Sequence, residues 1–296
     1  MKVPDKVSLA VATHAEPSNH AGSIGSLLVS AGKLTPAQLG QVLEGQKHSG
    51  LLFGDEAVRL GFLRPRDIDQ ALARQFDYPH LDAGQSAVSR DLVAAYHPAS
   101  AEVETFRAIR GQLLARWLGS QPDRKAIAIT SPNRGDGRSY VAANLAIVFS
   151  QLGASTLVID ADLRNPRQHE LFGVNNSVGL STVLCGRAGQ EAVTKVPDLF
   201  HLALLPAGPK PPNPGDLVAR VPFLTQLQQA SRSYDVVIID TPAANLGNDA
   251  QLIACRARGA LVIARKNATR IEAIDRLTEH FRSIGVDVLG AILNGR

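Results

Sequence analysis

The sequence predicts an α/β fold in which a mostly parallel sheet is covered by helices and preceded by a small all-α domain. Apolar runs of strand length alternate with helical patterns over the last two-thirds of the 296 residues. Such alternation favours parallel strands joined by crossover helices. Polar motifs follow three of these runs, where parallel sheets place their ligand sites. A repeated helical pattern occupies the N-terminal part, which predicts a separate domain there.

The composition is that of a globular protein in a reducing compartment. Hydrophobic residues make up 45% of the chain, and the formal net charge of +4 is too small to demand a nucleic-acid partner. Two cysteines, Cys185 and Cys255, imply no disulfide framework. No apolar stretch approaches the ~20 residues that span a bilayer. Residues 1–20 are polar and irregular, so we expect a disordered leader there.

Two copies of one helical pattern follow the leader, offset by 29 residues. In each copy a short helix ends at a glycine, and a second helix begins a few residues later. Thr35 and Pro36 open one of these second helices, since threonine is a good N-cap and proline fits the first helical position. We therefore expect a helical domain over residues 21–82 and a linker over 83–98, where the pattern is lost.

This twin pattern resembles the N-terminal domain of type II secretion ATPases and its MshEN relatives. Some of those proteins bind cyclic di-GMP across the two motifs. Their ligand-binding units usually begin with arginine, a natural partner for phosphate, whereas Ser23 and Leu52 stand at the equivalent positions here. The resemblance therefore implies a protein-docking module in the first place, with a cyclic di-GMP sensor as the alternative.

The remaining chain, residues 99–296, carries six apolar runs that predict strands, and helical patterns lie between most of them. The predicted strands are Ala126–Thr130, Thr156–Ile159, Leu202–Leu205, Val236–Ile239, Ala260–Ala264 and Val288–Leu293. The predicted helices are Ala101–Leu118, Val141–Leu152, Phe223–Ser231 and Ile271–Ile284.

The first strand leads into a glycine-rich turn that ends in a basic residue and a serine. Gly135 and Gly137 allow backbone N–H groups to turn inward, and the helix that follows adds a dipole favourable to phosphate. Arg138 stands where phosphate loops usually have lysine; it keeps the charge but is planar and longer. A plain glycine turn is the alternative interpretation. The residues expected to contact a nucleotide are Arg134, Gly135, Asp136, Gly137, Arg138, Ser139 and Tyr140.

Two acidic motifs follow later strands. Asp160 and Asp162 leave the second predicted strand, and Asp240 ends the fourth. Magnesium prefers a few carboxylate contacts beside phosphate oxygens, so Ser139, Asp162 and Asp240 are the expected metal residues. For the Asp160–Asp162 pair, an N-cap in a surface turn is the alternative. In this order the three motifs predict a P-loop NTPase-type domain that binds ATP and Mg²⁺.

The helix before the first strand carries Glu104, Arg107 and Arg110 at three-residue spacing. Residues three apart share one face of a helix, where opposite charges pair in solvent. By itself this trio predicts a solvated, salt-bridged face.

With these motifs in place, residues 100–296 resemble the cytoplasmic domain of the bacterial tyrosine kinases, or BY-kinases, and the EpsG-type stand-alone kinases in particular. The resemblance implies phosphoryl transfer from ATP·Mg²⁺ to protein tyrosine in exopolysaccharide or capsule production. It implies catalytic roles for Arg138, Asp160 and Asp162, with Asp160 or Asp162 as the base, and a place for Asn294 near the adenine. The segments that carry the likeness are Gly135–Ser139, Asp160–Pro166, Gly179–Ser181, Leu205–Pro209, Pro212–Pro214 and Asp240–Pro242.

The resemblance also implies partners and a location. BY-kinases work with a membrane chain-length determinant of the Wzz-like kind and assemble into rings, for which they use the helix that carries Glu104, Arg107 and Arg110. A cytoplasmic protein held at the inner membrane by its partner is the expected setting.

Two features depart from the family pattern: Arg138 replaces lysine, and the chain lacks the usual C-terminal tyrosine cluster. Tyr78, Tyr96, Tyr140 and Tyr234 are its tyrosines. An ATP-gated scaffold or ATPase switch of the export machinery, with little kinase activity, is therefore an alternative. A partition-type ATPase is the third, although no basic amphipathic helix near the C-terminus supports it.

Overall fold

A computed structural model of the chain describes residues 24–65, 67–68, 71, 81, 86–197 and 199–295. The chain divides into two compact units, Met1–Asp77 and Tyr78–Arg296. The expected leader, residues 1–20, lies outside the described residues. Among the helices that the structure describes, none has the length and apolar content needed to cross a bilayer.

Three helices of the first unit are α1 (Ile24–Ser30), α2 (Pro36–Ser49) and α3 (Phe53–Arg59). At the start of α2 the Thr35 side chain accepts from the Gln38 N–H, and the Gln38 side chain accepts from the Thr35 N–H. This reciprocal capping box satisfies two N–H groups that a helix start leaves unpaired. The structure therefore contains the N-cap that the Thr-Pro pair predicts.

The described residues of the two sequence copies share a packing contact. A Cβ on Gly25 would lie 2.6 Å from the Leu39 side chain, and a Cβ on Gly54 would lie 2.8 Å from Ile68. Each glycine thus lets its helix approach the following segment closely, at the same place in both copies. The small core repeats in the same way, because it pairs equivalent positions of the copies: Leu28 with Ala57, Leu34 with Leu63, and Val42 with Ala71.

A seven-stranded sheet forms the centre of the second unit in the part of the chain described. Its strands are β1 (Ala126–Thr130), β2 (Thr156–Asp160), β3 (Thr194–Lys195), β4 (Leu202–Leu205), β5 (Val236–Asp240), β6 (Gly259–Arg265) and β7 (Asp287–Asn294). They lie in the order β3-β4-β2-β5-β1-β6-β7. The two-residue β3 runs antiparallel to β4, and the other pairs are parallel. The predicted mostly parallel sheet is confirmed.

Helices cover both faces of this sheet. They are α4 (Val93–Tyr96), α5 (Ala101–Arg116), α6 (Arg138–Ser150), α7 (Gln168–Phe172), α8 (Leu180–Leu184), α9 (Pro214–Ala219), α10 (Val221–Ser233), α11 (Asp249–Ala257) and α12 (Ile271–Ser283). The sequence did not predict α4, α7, α8, α9 or α11. All but α11 are too short to show a helical period, because one or two turns hold few apolar positions.

Two apolar clusters sandwich the sheet. In β1, Ile127 and Ile129 belong to one cluster, whereas Ala126 and Ala128 belong to the other. Successive strand residues point to opposite faces, so this division means that β1 is covered on both sides. Helix α6 is buried along nearly its whole length, as expected for a helix that is apolar on all faces.

The segment expected as a linker, residues 83–98, contributes a buried stretch to the second unit. Leu92, Ala94 and Ala95 are fully buried. The Ala94 N–H donates to the Asn144 Oδ1 atom at 2.9 Å, and the Gln151 amide donates to the Ala94 carbonyl at 2.8 Å. The sequence did not predict helix α4, because an apolar run of four residues is too short to show a helical period. The division between the units falls after residue 77, not after 82.

Candidate nucleotide-binding site

The three predicted motifs leave neighbouring strands of the sheet. Strand β5 lies between β2 and β1, and Asp160 of β2 is in register with Asp240 of β5. Strand β1 runs parallel to β5 and continues into the glycine-rich turn at Ser131. Since parallel strands present their carboxyl ends at one edge, the strand order brings the turn and both acidic motifs together.

The glycine-rich turn has the backbone that its sequence predicts. Gly135 has φ 86° and Gly137 has φ 99°, in the left-handed region that disfavours other residues. A Cβ on Gly137 would lie 2.0 Å from the Asn294 Nδ2 atom. That amide also donates to the Asp136 carbonyl at 3.1 Å. Asn294 is the last residue of β7, so it lies against the turn and closes one side of it.

Replacing Gly137 tests whether this turn binds phosphate. Gly137→Ala adds backbone strain and forces its methyl group into the Asn294 amide, so we expect ATP to bind at least about tenfold more weakly. Titration with a fluorescent ATP analogue measures the change. Gly153→Ala is the matched control, because Gly153 has φ 86° and no atom within 4 Å of its added Cβ. Equal affinities for the two variants would contradict the proposed phosphate loop.

The Asp136 carboxylate shapes the turn from within. It accepts from the Asn133 N–H at 2.8 Å and from the Thr269 hydroxyl at 2.7 Å, and it is 2% exposed. Asp136 was expected to contact nucleotide. Because its carboxylate is occupied by these two bonds, that contact would have to come from its main chain. Thr269, which precedes α12, was not foreseen, because a lone threonine carries no spacing signal.

The Tyr140 side chain is engaged with α5. Its hydroxyl donates to a Glu102 carboxylate oxygen at 2.6 Å, and its ring meets Phe106 edge-on with centroids 6.0 Å apart. The expected nucleotide contact of Tyr140 therefore remains a prediction that the arrangement of its side chain does not favour.

Exposed cations lie at the outer side of the turn. Arg134 is exposed within it, and Arg265, at the end of β6, has a guanidinium nitrogen 4.0 Å from where a Cβ of Gly135 would lie. Arg265 was not predicted as a site residue. Its position at the carboxyl end of a parallel strand was the available signal.

Arg138 links the glycine-rich turn to the residue that follows β5. Its guanidinium donates to the Thr241 carbonyl and to the Asn133 carbonyl, each at 2.8 Å, and to the Ser131 hydroxyl. Its Nη2 atom lies 3.9 Å from the Asp162 Oδ2 atom. The side chain is 7% exposed, and a charge so buried requires such partners. An ammonium has fewer donors and no rigid fork, so lysine could not reproduce these bonds.

The Asp160 carboxylate stabilises the loop that follows β2. Its Oδ1 atom accepts from the Asp162 N–H at 3.3 Å, and its Oδ2 atom accepts from the N–H groups of Arg167 and Gln168 at 3.1 and 2.9 Å. The residue is fully buried. Burial raises the pKa of this carboxyl well above its ordinary value, and the charges of Asp240 and Asp162 raise it further.

Asp162 uses one oxygen for the loop. Its Oδ1 atom accepts from the N–H groups of Arg164 and Asn165 at 3.2 and 2.9 Å. Its Oδ2 atom is the one that faces Arg138. Arg164 in turn pairs in bidentate geometry with Asp249 of α11, at 2.7 and 3.1 Å, which fixes the far side of this loop.

Asp240 is fully buried, and its Oδ2 atom accepts from the Gln168 amide at 2.8 Å. Ser139 lies near enough to this carboxylate to lower its pKa, while Oδ1 has no hydrogen-bond partner among the described residues. Burial raises the pKa of Asp240 to about 6, although the Arg138 charge, Ser139 and the bond from Gln168 oppose that rise. The Gln168 amide thus joins Ser139 to Asp240, and Asp162 faces Arg138, the residue before Ser139.

These residues fit a divalent cation. Three buried carboxylates repel one another, and one of their oxygens has no protein partner in the described chain. No group of three or more His, Cys, Asp or Glu side chains among the described residues could hold a metal by itself. The arrangement suits Mg²⁺, which takes many of its ligands from phosphate and water when it binds with a nucleotide.

The helical trio lies on α5. Arg107 donates to the Glu104 carboxylate and, at 2.7 Å, to the Pro98 carbonyl. Arg110 donates to the Val148 carbonyl near the end of α6. In a single chain both arginines therefore have intramolecular partners, and the ring contact stays a prediction.

The chain is similar to known tyrosine kinases. It is 35% identical over 211 residues to the tyrosine-protein kinase YwqD of Bacillus subtilis, covering 71% of this chain and 88% of that protein. It is 32% identical over 203 residues to the tyrosine-protein kinase wzc of Salmonella typhimurium, covering 69% of this chain and 28% of that protein. The kinase domain of the Escherichia coli tyrosine kinase ETK has a similar structure, with a TM-score of 0.67 and 29% identity, covering 74% of this chain and 85% of that chain. No protein-family model matches the sequence.

Proposed function

The chain belongs to the family of bacterial tyrosine-protein kinases, and we propose that it transfers a phosphoryl group from ATP·Mg²⁺ to protein tyrosine. One observation carries this proposal. Gln168 joins Ser139 to Asp240, and Asp162 faces Arg138 at the glycine-rich turn that opens a helix, so residues that follow three different strands lie together. Phosphoryl transfer depends mainly on positioning and on neutralising charge, which such an arrangement supplies.

Nucleotide binding is assigned to the turn and the start of α6. The N–H groups of residues 135–139 would surround the phosphates, since the first N–H groups of a helix lack partners within it. Ser139, Asp162 and Asp240 would hold Mg²⁺, directly or through water. When bound, the ion supplies positive charge to the β- and γ-phosphates. Arg138 would keep the turn in shape and add a charge beside it.

The base is assigned to Asp162. A tyrosine hydroxyl has a pKa of about 10, so its proton needs an acceptor near the reacting oxygen. The sequence left Asp160 and Asp162 as candidates. Both oxygens of Asp160 hold backbone N–H groups, whereas Asp162 uses Oδ1 for that purpose and keeps Oδ2 towards the turn. The proton would therefore pass to the Asp162 Oδ2 atom.

A kinase assay tests the proposal. The purified chain is incubated with Mg²⁺, ATP labelled at the γ-phosphate and a soluble tyrosine-containing polymer. We expect label on tyrosine, dependent on Mg²⁺. Nucleotide that is bound and hydrolysed without any label on tyrosine would overturn the kinase assignment. A failure to bind ATP at all would overturn the site itself.

The wider role is proposed from the resemblance to EpsG-type kinases. The chain would regulate polymerisation and export of an exopolysaccharide or capsule, at the inner membrane and with a Wzz-like partner. Its α5 trio would join copies into rings. The N-terminal unit would dock a partner or sense cyclic di-GMP, a proposal supported by its twin sequence pattern and by the glycine contact that recurs at Gly25 and Gly54. Calorimetric titration of the full chain with cyclic di-GMP separates the two roles: binding heat supports the sensor, and its absence leaves docking.

An ATP-gated scaffold is the second candidate, and the described tyrosines favour it. The Tyr96 hydroxyl donates to the Val88 carbonyl, and that of Tyr140 donates to Glu102. Burial raises the pKa of Tyr234. The Tyr96 and Tyr140 hydroxyls thus have partners within the chain, all three rings are half-buried, and Tyr78 lies outside the described residues. Anti-phosphotyrosine detection, after incubation with ATP and a partner extract, distinguishes the kinase from the scaffold. Ring formation and ATP hydrolysis without phosphotyrosine would favour the scaffold.

A further inference from the structure

We propose that Gln168 is a positioning residue for magnesium-dependent nucleotide binding, because its amide fixes one oxygen of Asp240 and leaves the other for the ion. The inference rests on the proposed function, since it assigns a role within the same site. Gln168 opens α7 and is fully buried. It is not among the residues that the sequence singled out.

Gln168 contacts all three motifs. Its side-chain amide donates to the Asp240 Oδ2 atom at 2.8 Å and to the Ser139 carbonyl at 3.1 Å. Its main-chain N–H donates to the Asp160 Oδ2 atom at 2.9 Å. A single residue therefore joins the phosphate-binding turn, the Asp160–Asp162 loop and the end of β5.

The two acceptors determine which way the amide faces. An NH₂ group has two donors, and both are used here, one on Asp240 at the end of β5 and one on the Ser139 carbonyl in the first turn of α6. The opposite orientation would place the amide oxygen against a carboxylate and a carbonyl, which repel it. The terminal torsion of an aspartate is broad, so the carboxylate of Asp240 could rotate freely by itself. The hydrogen bond from Gln168 to Oδ2 fixes its orientation.

Two buried atoms remain without partners around this contact. They are the Asp240 Oδ1 atom and the Gln168 Oε1 atom, neither of which has a hydrogen-bond partner in the described chain. Buried acceptors without partners are rare and call for an explanation. A hydrated Mg²⁺ supplies what both lack, since the ion attracts the carboxylate oxygen and its water molecules donate hydrogen bonds to the amide oxygen.

The experiment separates Mg²⁺ dependence from nucleotide binding itself. Gln168→Met keeps the side-chain length and removes both donors and the acceptor. Binding of a fluorescent ATP analogue is titrated with Mg²⁺ for one series and measured in EDTA for another. We expect the half-saturating Mg²⁺ concentration to rise at least about tenfold, as for other residues that orient metal ligands, and binding in EDTA to stay within about twofold.

Two further variants complete the test. Gln228→Met, on the exposed face of α10, is the matched control and should behave as wild type. Gln168→Asn keeps an amide that is one carbon too short, so it should raise the Mg²⁺ requirement with less disturbance of packing if the methionine variant folds poorly. An unchanged Mg²⁺ requirement in Gln168→Asn, or equal losses with and without Mg²⁺, would overturn the inference. A wild-type chain that binds no ATP would instead overturn the proposed function.

Discussion

Asp162→Asn is expected to slow phosphoryl transfer by about a thousandfold, within the range that a general base contributes. Asparagine keeps an oxygen that can accept from the N–H groups of Arg164 and Asn165, so the loop should hold its shape. It has no second oxygen able to take a proton or to carry charge beside Arg138. The measurement is single-turnover transfer to a tyrosine polymer at saturating ATP and Mg²⁺.

The control for this prediction is Asp275→Asn, because Asp275 is exposed on α12 and away from the strand ends. It should transfer phosphate as the wild type does. If Asp162→Asn retained more than about a tenth of wild-type transfer, Asp162 would not be the base. Asp160→Asn would then become the next variant to examine, although its oxygens hold the loop.

Asp240→Asn is expected to raise the unfolding free energy near pH 7 and to weaken Mg²⁺-dependent ATP binding. The carboxylate is fully buried, and its pKa is raised from 3.8 to about 6. The folded state therefore binds this proton more tightly than the unfolded state, and the unfolding free energy falls as pH rises from about 4 to about 6. Near pH 7, without Mg²⁺, the charged carboxylate costs about 3 kcal/mol of unfolding free energy, which asparagine would largely restore.

Thermal unfolding in EDTA measures this effect. We expect the variant to melt a few degrees above wild type near pH 7, and the difference to shrink as pH falls to 4 and to vanish near pH 3, where both states bind the proton. The same variant should lose most Mg²⁺-dependent ATP binding, because asparagine carries no charge for the ion. A variant that melts below wild type near pH 7 would contradict the assigned electrostatic cost. A variant with a normal Mg²⁺ requirement would contradict the metal role.

Much of the site could be predicted because strand ends are visible in the sequence. The apolar runs that end at Thr130, Asp160 and Asp240 are β1, β2 and β5 in the structure. Buried parallel strands are apolar along their whole length, so the first polar residue after each one marks the edge where ligands bind. Left-handed backbone at Gly135 and Gly137 follows from the same local logic.

The assignments that could not be made concern side-chain partners. Asp136 bonds to Thr269, and Arg138 bonds to Thr241, more than a hundred positions away in each case. Gln168 carries no local pattern at all. The sequence left the role of base open between Asp160 and Asp162, whereas their different hydrogen bonds set them apart.

By itself, then, the amino-acid sequence determined the mostly parallel sheet and the places of its strand-end motifs, because burial patterns and turn glycines are local properties, and the resemblance of those motifs pointed to the kinase family. The tertiary structure decided which groups meet. The strand order β2-β5-β1 places Asp160 beside Asp240 and lets Gln168 join them to Ser139. Neighbouring strands are selected by packing of the whole sheet, and so the roles of individual carboxylates emerge once the chain has folded.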